Sequence, residues 1–133
     1  MYGHTPAFRV GHTDSLAYYP VERDQFWNSL GNAGVRMYFS GHDHLYNRAH
    51  VKDQAGHTIY QVLTGAGGAP FNKWNPPYAE GDKVVGDYHK EGVNGYVLVT
   101  VDGQRVTMMW KTLVNKDGQD VWTVLDTLEY VVE

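Results

Sequence analysis

The sequence contains no cysteine. That excludes disulfides, a thiolate metal site and a cysteine nucleophile, and it leaves the redox compartment open. Positive charge is not in excess: eleven Lys+Arg stand against fifteen Asp+Glu, a net charge of -4. With no basic block to track phosphates, no nucleic-acid partner is expected. No apolar run is long enough to span a bilayer, so no membrane partner is expected either. Met1-Tyr2-Gly3-His4 carries neither the charged nor the apolar region of a signal peptide. Internal repeats, low-complexity stretches and linkers are also missing, so residues 1–133 read as one domain.

What is present is ordinary in bulk and unusual in detail. Hydrophobic residues make up 42% and charged residues 20%, as in a folded domain. Seven histidines and fifteen glycines are high counts for this length, and ten tyrosines suggest strands. Histidine without cysteine directs any metal chemistry towards imidazole and oxygen ligands.

Residues 4–20 read as a loop punctuated by Gly11 and Pro20. A helix should follow. Pro20 suits a first turn, Glu22 and Asp24 favour its positive end, and Phe26, Trp27, Leu30 and Ala33 recur at helical spacing up to a stop at Gly34. The β-branched and aromatic run 35–40 reads as a buried strand. Residues 49–52 and 57–64 flank a turn at Asp53-Gln54-Ala55-Gly56. Gly65 opens a long loop to about residue 93, and 94–101, 104–114 and 120–132 form a meander. Val97, Val99 and Val101, with Val106, Met108 and Trp110, alternate with polar residues and mark one apolar face.

The strongest local signal is Gly41-His42-Asp43-His44, directly after the buried strand. Two histidines at i and i+2 in a kinked loop can reach one ion or two adjacent ions. A third histidine, His4, closes a strand stub at Met1-Tyr2. If that stub lies parallel to 35–40, the helix is the crossover of a βαβ unit and His4 stands beside His42. His4, His42 and His44 then gather at the carboxyl end of the strands, where open α/β sheets place their ligands. Three imidazoles without cysteine suit zinc, iron or manganese. His50, His57 and His89 have no partner at telling spacing and read as structural. Gly65–Gly68 lacks the lysine and following helix of a phosphate loop and reads as a tight turn beside the site. Phe71, Trp74 and Tyr78 read either as a substrate wall or as pins for the long loop.

At these residues the sequence resembles the calcineurin-like metallophosphoesterase superfamily, in particular its purple acid phosphatase-like branch. Gly41-His42-Asp43-His44-Leu45-Tyr46-Asn47-Arg48 is similar to that branch's Gly-His-x-His-x-Tyr-Glu-Arg motif, with Asn47 in place of the usual acidic residue. Gly3-His4-Thr5-Pro6 resembles the preceding single-histidine motif, and Thr64-Gly65-Ala66-Gly67-Gly68 the glycine-rich segment downstream. The resemblance implies phosphate-ester substrates and a centre of two divalent or trivalent transition-metal ions, iron, zinc or manganese. It places His4 and His42 on one ion and His44 on the other. It makes His12 the histidine that protonates the leaving alcohol.

The family's Gly-Asp-x-x-Asp and Gly-Asn-His-Asp/Glu motifs have no match here, and the one Asp-x-His triplet, Asp87-Tyr88-His89, comes after the His-x-His motif where the family places it well before. The expectation is therefore the carboxy-terminal half of an α/β metallophosphoesterase sandwich: a mixed sheet, one crossover helix and a C-terminal β-meander. Such a half leaves an apolar sheet face for a second copy or for the missing amino-terminal half. Two other readings remain: a truncated or swapped module binding at most one ion without catalysis, and a phosphodiesterase or nucleotidase of the same superfamily.

Overall fold

The computed structural model describes residues 1–74 and 76–132. Pro20 opens the one α-helix among the described residues, α1 (Pro20–Asn32). Its fixed φ and missing N–H suit a first turn. Trp27 and Leu30 form the buried stripe, while Ala33 falls outside the helix and is exposed. Arg23 is buried with them at 2% exposure. Its guanidinium lies 4.3 Å over the Phe8 ring and is held by Asp24 and Glu80. Gly34, at φ +73, turns the chain out of the helix.

Seven strands follow among the described residues: β1 (Met37–Ser40), β2 (Tyr46–Lys52), β3 (Thr58–Thr64), β4 (Val84–Lys90), β5 (Gly95–Asp102), β6 (Arg105–Lys116) and β7 (Gln119–Val131). They form a four-stranded sheet in the order β1-β3-β2-β4 and a three-stranded meander β5-β6-β7. Strands β1 and β3 are parallel, and Tyr2 adds a parallel bridge to Phe39 on the outer edge of β1. Helix α1 is therefore the connection between two parallel segments. The molecule is mixed α/β with two sheets and mostly strand.

Strand β4 lies inside the segment expected to be one long loop. Val84-Val85-Gly86-Asp87-Tyr88-His89-Lys90 is an edge strand with Val84 alone fully buried, so its sequence lacks the alternation of a half-buried strand. Pairing with β2 defines it, and β2 is remote in sequence.

The alternation of side chains divides the core in two. Tyr38, Leu45, Ala49, Val51, Ile59 and Leu63 face Trp27, Leu30 and Phe8 on the helix side. Met37, Tyr46 and Val62 face the other way, onto Val106, Met108 and Trp110 of β6. The layers run helix, mixed sheet, meander. The face carrying Val106, Met108 and Trp110, expected to be open, is thus the packed interface between the sheets. The reason is that Tyr46 and Trp110 stack at 4.3 Å with a 9° interplanar angle, closing the gap from both sides. Val99 and Val101 extend beyond that contact and stay exposed. The uncovered apolar surface is the opposite face, where Tyr96, Leu98, Leu113, Trp122 and Val124 are all exposed.

Candidate metal centre

Three parallel chain segments end side by side: the Tyr2 bridge, β1 and β3. The backbone ladder continues past the first two, with the Gly3 N–H donating to Phe39 O and the Gly41 N–H to His4 O, both at 2.9 Å. That register sets His4 beside His42, with ring centroids 5.2 Å apart. His12 closes on His42 from the following loop at 4.9 Å. The kink of this loop falls on His42, which takes φ +72. A non-glycine residue rarely adopts that conformation, and such strain collects at functional sites.

Asp43 explains how the His12 loop is held. Its side chain is fully buried, with Oδ1 3.7 Å from His12 Nε2. Its carboxylate accepts the Gly11 N–H at 3.0 Å and the His12 N–H at 2.8 Å. The residue between the two motif histidines is therefore a positioning group for a third one. Asn72 does similar work from the glycine-rich loop. Its Oδ1 accepts the His44 N–H at 2.7 Å and lies 3.3 Å from His12 Nε2.

His44 stands apart from the other three. Its Nδ1 lies 2.8 Å from the Pro70 carbonyl oxygen. A carbonyl only accepts, so Nδ1 carries the proton and Nε2 keeps its lone pair. That is the arrangement by which a carbonyl orients a metal-ligating imidazole.

Asp14 is the residue that sequence reasoning passed over. Its Oδ1 is 2.9 Å from His42 Nε2, and the His42 hydrogen bond holds its carboxyl below the ordinary range. His12, Asp14 and His42 each present a ligand atom within 4.8 Å of the others. The donor set, imidazoles plus one carboxylate, fits a transition-metal ion. His4 and His44 do not belong to that group, and no second such group is found among the described residues. Nothing in the spacing His12-Thr13-Asp14 announces the contact, because a loop brings it about.

The other histidines have local partners. His50 Nδ1 sits 2.9 Å from Asp87, His57 Nδ1 sits 2.7 Å from Asp53, and the His89 ring packs against Trp74 at 4.7 Å. Trp74 and Tyr78 pin the long loop to the sheet, with the Tyr78 hydroxyl donating to Asn47 Oδ1 at 2.6 Å. Burial raises the Tyr78 hydroxyl to about 12, so it stays a donor at neutral pH. Phe71 alone of the three aromatics is exposed. A hollow lined by Trp27, Asn28, His50, Lys52 and Asp53 lies at the far end of the mixed sheet and touches none of the site histidines.

No family model matches the chain, and no curated protein matches it. Among solved structures it is similar to "GAP50 the anchor in the inner membrane complex of Plasmodium", at 18% identity and a TM-score of 0.40. That alignment covers 98% of this chain and 35% of the other, so this chain spans about a third of that protein's length.

Proposed function

We propose that this chain is the carboxy-terminal half of a calcineurin-like metallophosphoesterase domain, of the purple acid phosphatase-like branch, whose parent activity is hydrolysis of phosphate esters. The observation that carries the reading is the convergence of His4, His12 and His42 at the carboxyl end of β1, from three separate segments of chain. The lone pair left on His44 Nε2 by the Pro70 carbonyl adds to it. Two iron, zinc or manganese ions, when bound, supply Lewis-acid polarisation and a hydroxide nucleophile near neutral pH. In this reading His4 and His42 serve one ion and His44 the other. His12, held by Asp43 and Asn72 at the rim, delivers a proton to the leaving alkoxide.

The chain does not contain the family's bridging aspartate motif. Two ions about 3.5–4 Å apart repel strongly unless a carboxylate lies between them. Metal-loaded chain should therefore turn over an aryl phosphate ester at close to background. Joined to a segment carrying the Asp-x-His, Gly-Asp-x-x-Asp and Gly-Asn-His motifs, it should gain turnover that His42→Ala removes. A joined protein that stays at background overturns the proposal. Robust hydrolysis by the chain alone overturns its half-domain part.

The same reading leaves the Tyr96, Leu98, Leu113, Trp122 and Val124 face in need of a cover. In isolation the chain should self-associate through it, since apolar patches of that kind drive association. Sedimentation should show oligomer that Trp122→Lys shifts towards monomer. A monomeric wild-type chain at high concentration contradicts this.

A further inference from the structure

We propose that His12, Asp14 and His42 form a site for a single divalent transition-metal ion that this chain binds by itself, with Asp14 as the anionic ligand. The inference rests on the reading of this sheet edge as a metal centre. It assigns Asp14 a role that the family resemblance does not, and it makes His12 a ligand whenever no bridging aspartate is present.

Two of the other candidates nearby, Asp43 and His44, are already committed. Asp43 is buried and satisfied by the backbone N–H groups of Gly11 and His12. His44 is turned onto the Pro70 carbonyl. Asp14 has neither restraint. Its side chain is 71% exposed, and its contact is His42 Nε2 at 2.9 Å. Bonds of 2.0–2.1 Å in tetrahedral geometry put ligand atoms about 3.3 Å apart. The three ligand atoms here lie within 4.8 Å of one another. His12 and Asp14, both exposed, are the side chains that would rotate to close that gap, while Asp43 holds the His12 backbone. Two imidazoles and a carboxylate leave at least one position open for water, with His4 the nearest further imidazole. Two neutral imidazoles and one carboxylate also leave a net charge of about +1 on the bound ion, which favours an anionic ligand such as a phosphate ester at the open position.

The test is titration of the intact chain with cobalt(II), followed by its visible absorption, and with zinc(II) by calorimetry. The expected result is one ion per chain. Asp14→Asn should weaken binding by about tenfold or more, and His12→Ala likewise, while His50→Ala, whose ring pairs with Asp87, leaves it unchanged. Circular dichroism of Asp14→Asn should match the wild type, since the residue is exposed. Wild-type affinity in folded Asp14→Asn overturns the inference, as does a wild-type chain that binds no ion. Weakening by His4→Ala and His44→Ala with Asp14→Asn silent overturns it too, and would support the dinuclear arrangement instead. The phosphoesterase reading stands or falls separately, on turnover by the joined protein.

Discussion

Trp110→Ala should lower the unfolding free energy by about 4 kcal/mol, the cost of emptying a large buried aromatic site. Trp110 is fully buried, and its ring stacks on Tyr46 at 4.3 Å in the middle of the contact between the two sheets. Gly95 on β5 packs against the indole so closely that even a Cβ there would lie 2.7 Å from Nε1. The pocket is walled on that side by backbone, so it cannot collapse to fill the void. The polar tether beside it would suffer as well. The Tyr46 hydroxyl and Arg48 Nε each reach Asp126 of β7 at 2.7 Å, bridging the same two sheets. Trp110→Phe should cost less, about 1–2 kcal/mol, because it keeps a stacking ring. It also loses no hydrogen bond, since the indole N–H has no partner. Urea unfolding of the three proteins checks the ranking. A Trp110→Ala protein within 1 kcal/mol of wild type would mean that this stack does not hold the sheets together.

Gly65→Ala should be nearly as damaging and should reach the metal centre. A Cβ at Gly65 would stand 2.1 Å from the Asp43 carbonyl oxygen and 3.5 Å from His44 Cα. The obstacle is backbone, not the end of a flexible side chain, so the His42-Asp43-His44 segment or the glycine-rich loop must shift. A cost of about 3 kcal/mol follows from overpacking of this kind. In a chain of 133 residues it lowers Tm by roughly 10 °C. Displacement of Asp43 also releases the loop that it holds through Gly11 and His12, so metal binding should fall with stability. The control is two residues away. A Cβ at Gly67 meets nothing within 4 Å, and Gly67→Ala should stay within about 0.5 kcal/mol of wild type. Thermal melts that fail to separate the two variants would show that the loop does not press on the His-x-His backbone.

The contrast between Gly65 and Gly67 shows where sequence reading stops. Both belong to one glycine-rich run, and its placement beside the site follows from chain order. Which glycine touches the site depends on the approach of β3's end to the turn after β1, and that contact is tertiary. Strand β4 poses the same difficulty. Only Val84 of its residues is buried, so no alternation marks it, and its pairing with β2 makes it a strand.

Local chemistry determined much of this protein by itself. Proline at the helix start, the buried run of β1 and the turns at Asp102-Gly103 and Asp117-Gly118 act over a few residues, where spacing and backbone preference decide. The convergence of His4 on His42 followed from order once the Tyr2 segment lies parallel to β1, because a helix between two parallel segments leaves both loops at one end. The tertiary structure decided the rest. It turned the Val106, Met108 and Trp110 face inwards and left the Tyr96 and Trp122 face open, since either face of an apolar meander can pack and its contacts with Met37, Tyr46 and Val62 select one. It also brought Asp14 to His42, because the path of an irregular loop is set by what anchors it, here the buried carboxylate of Asp43, and not by its own sequence.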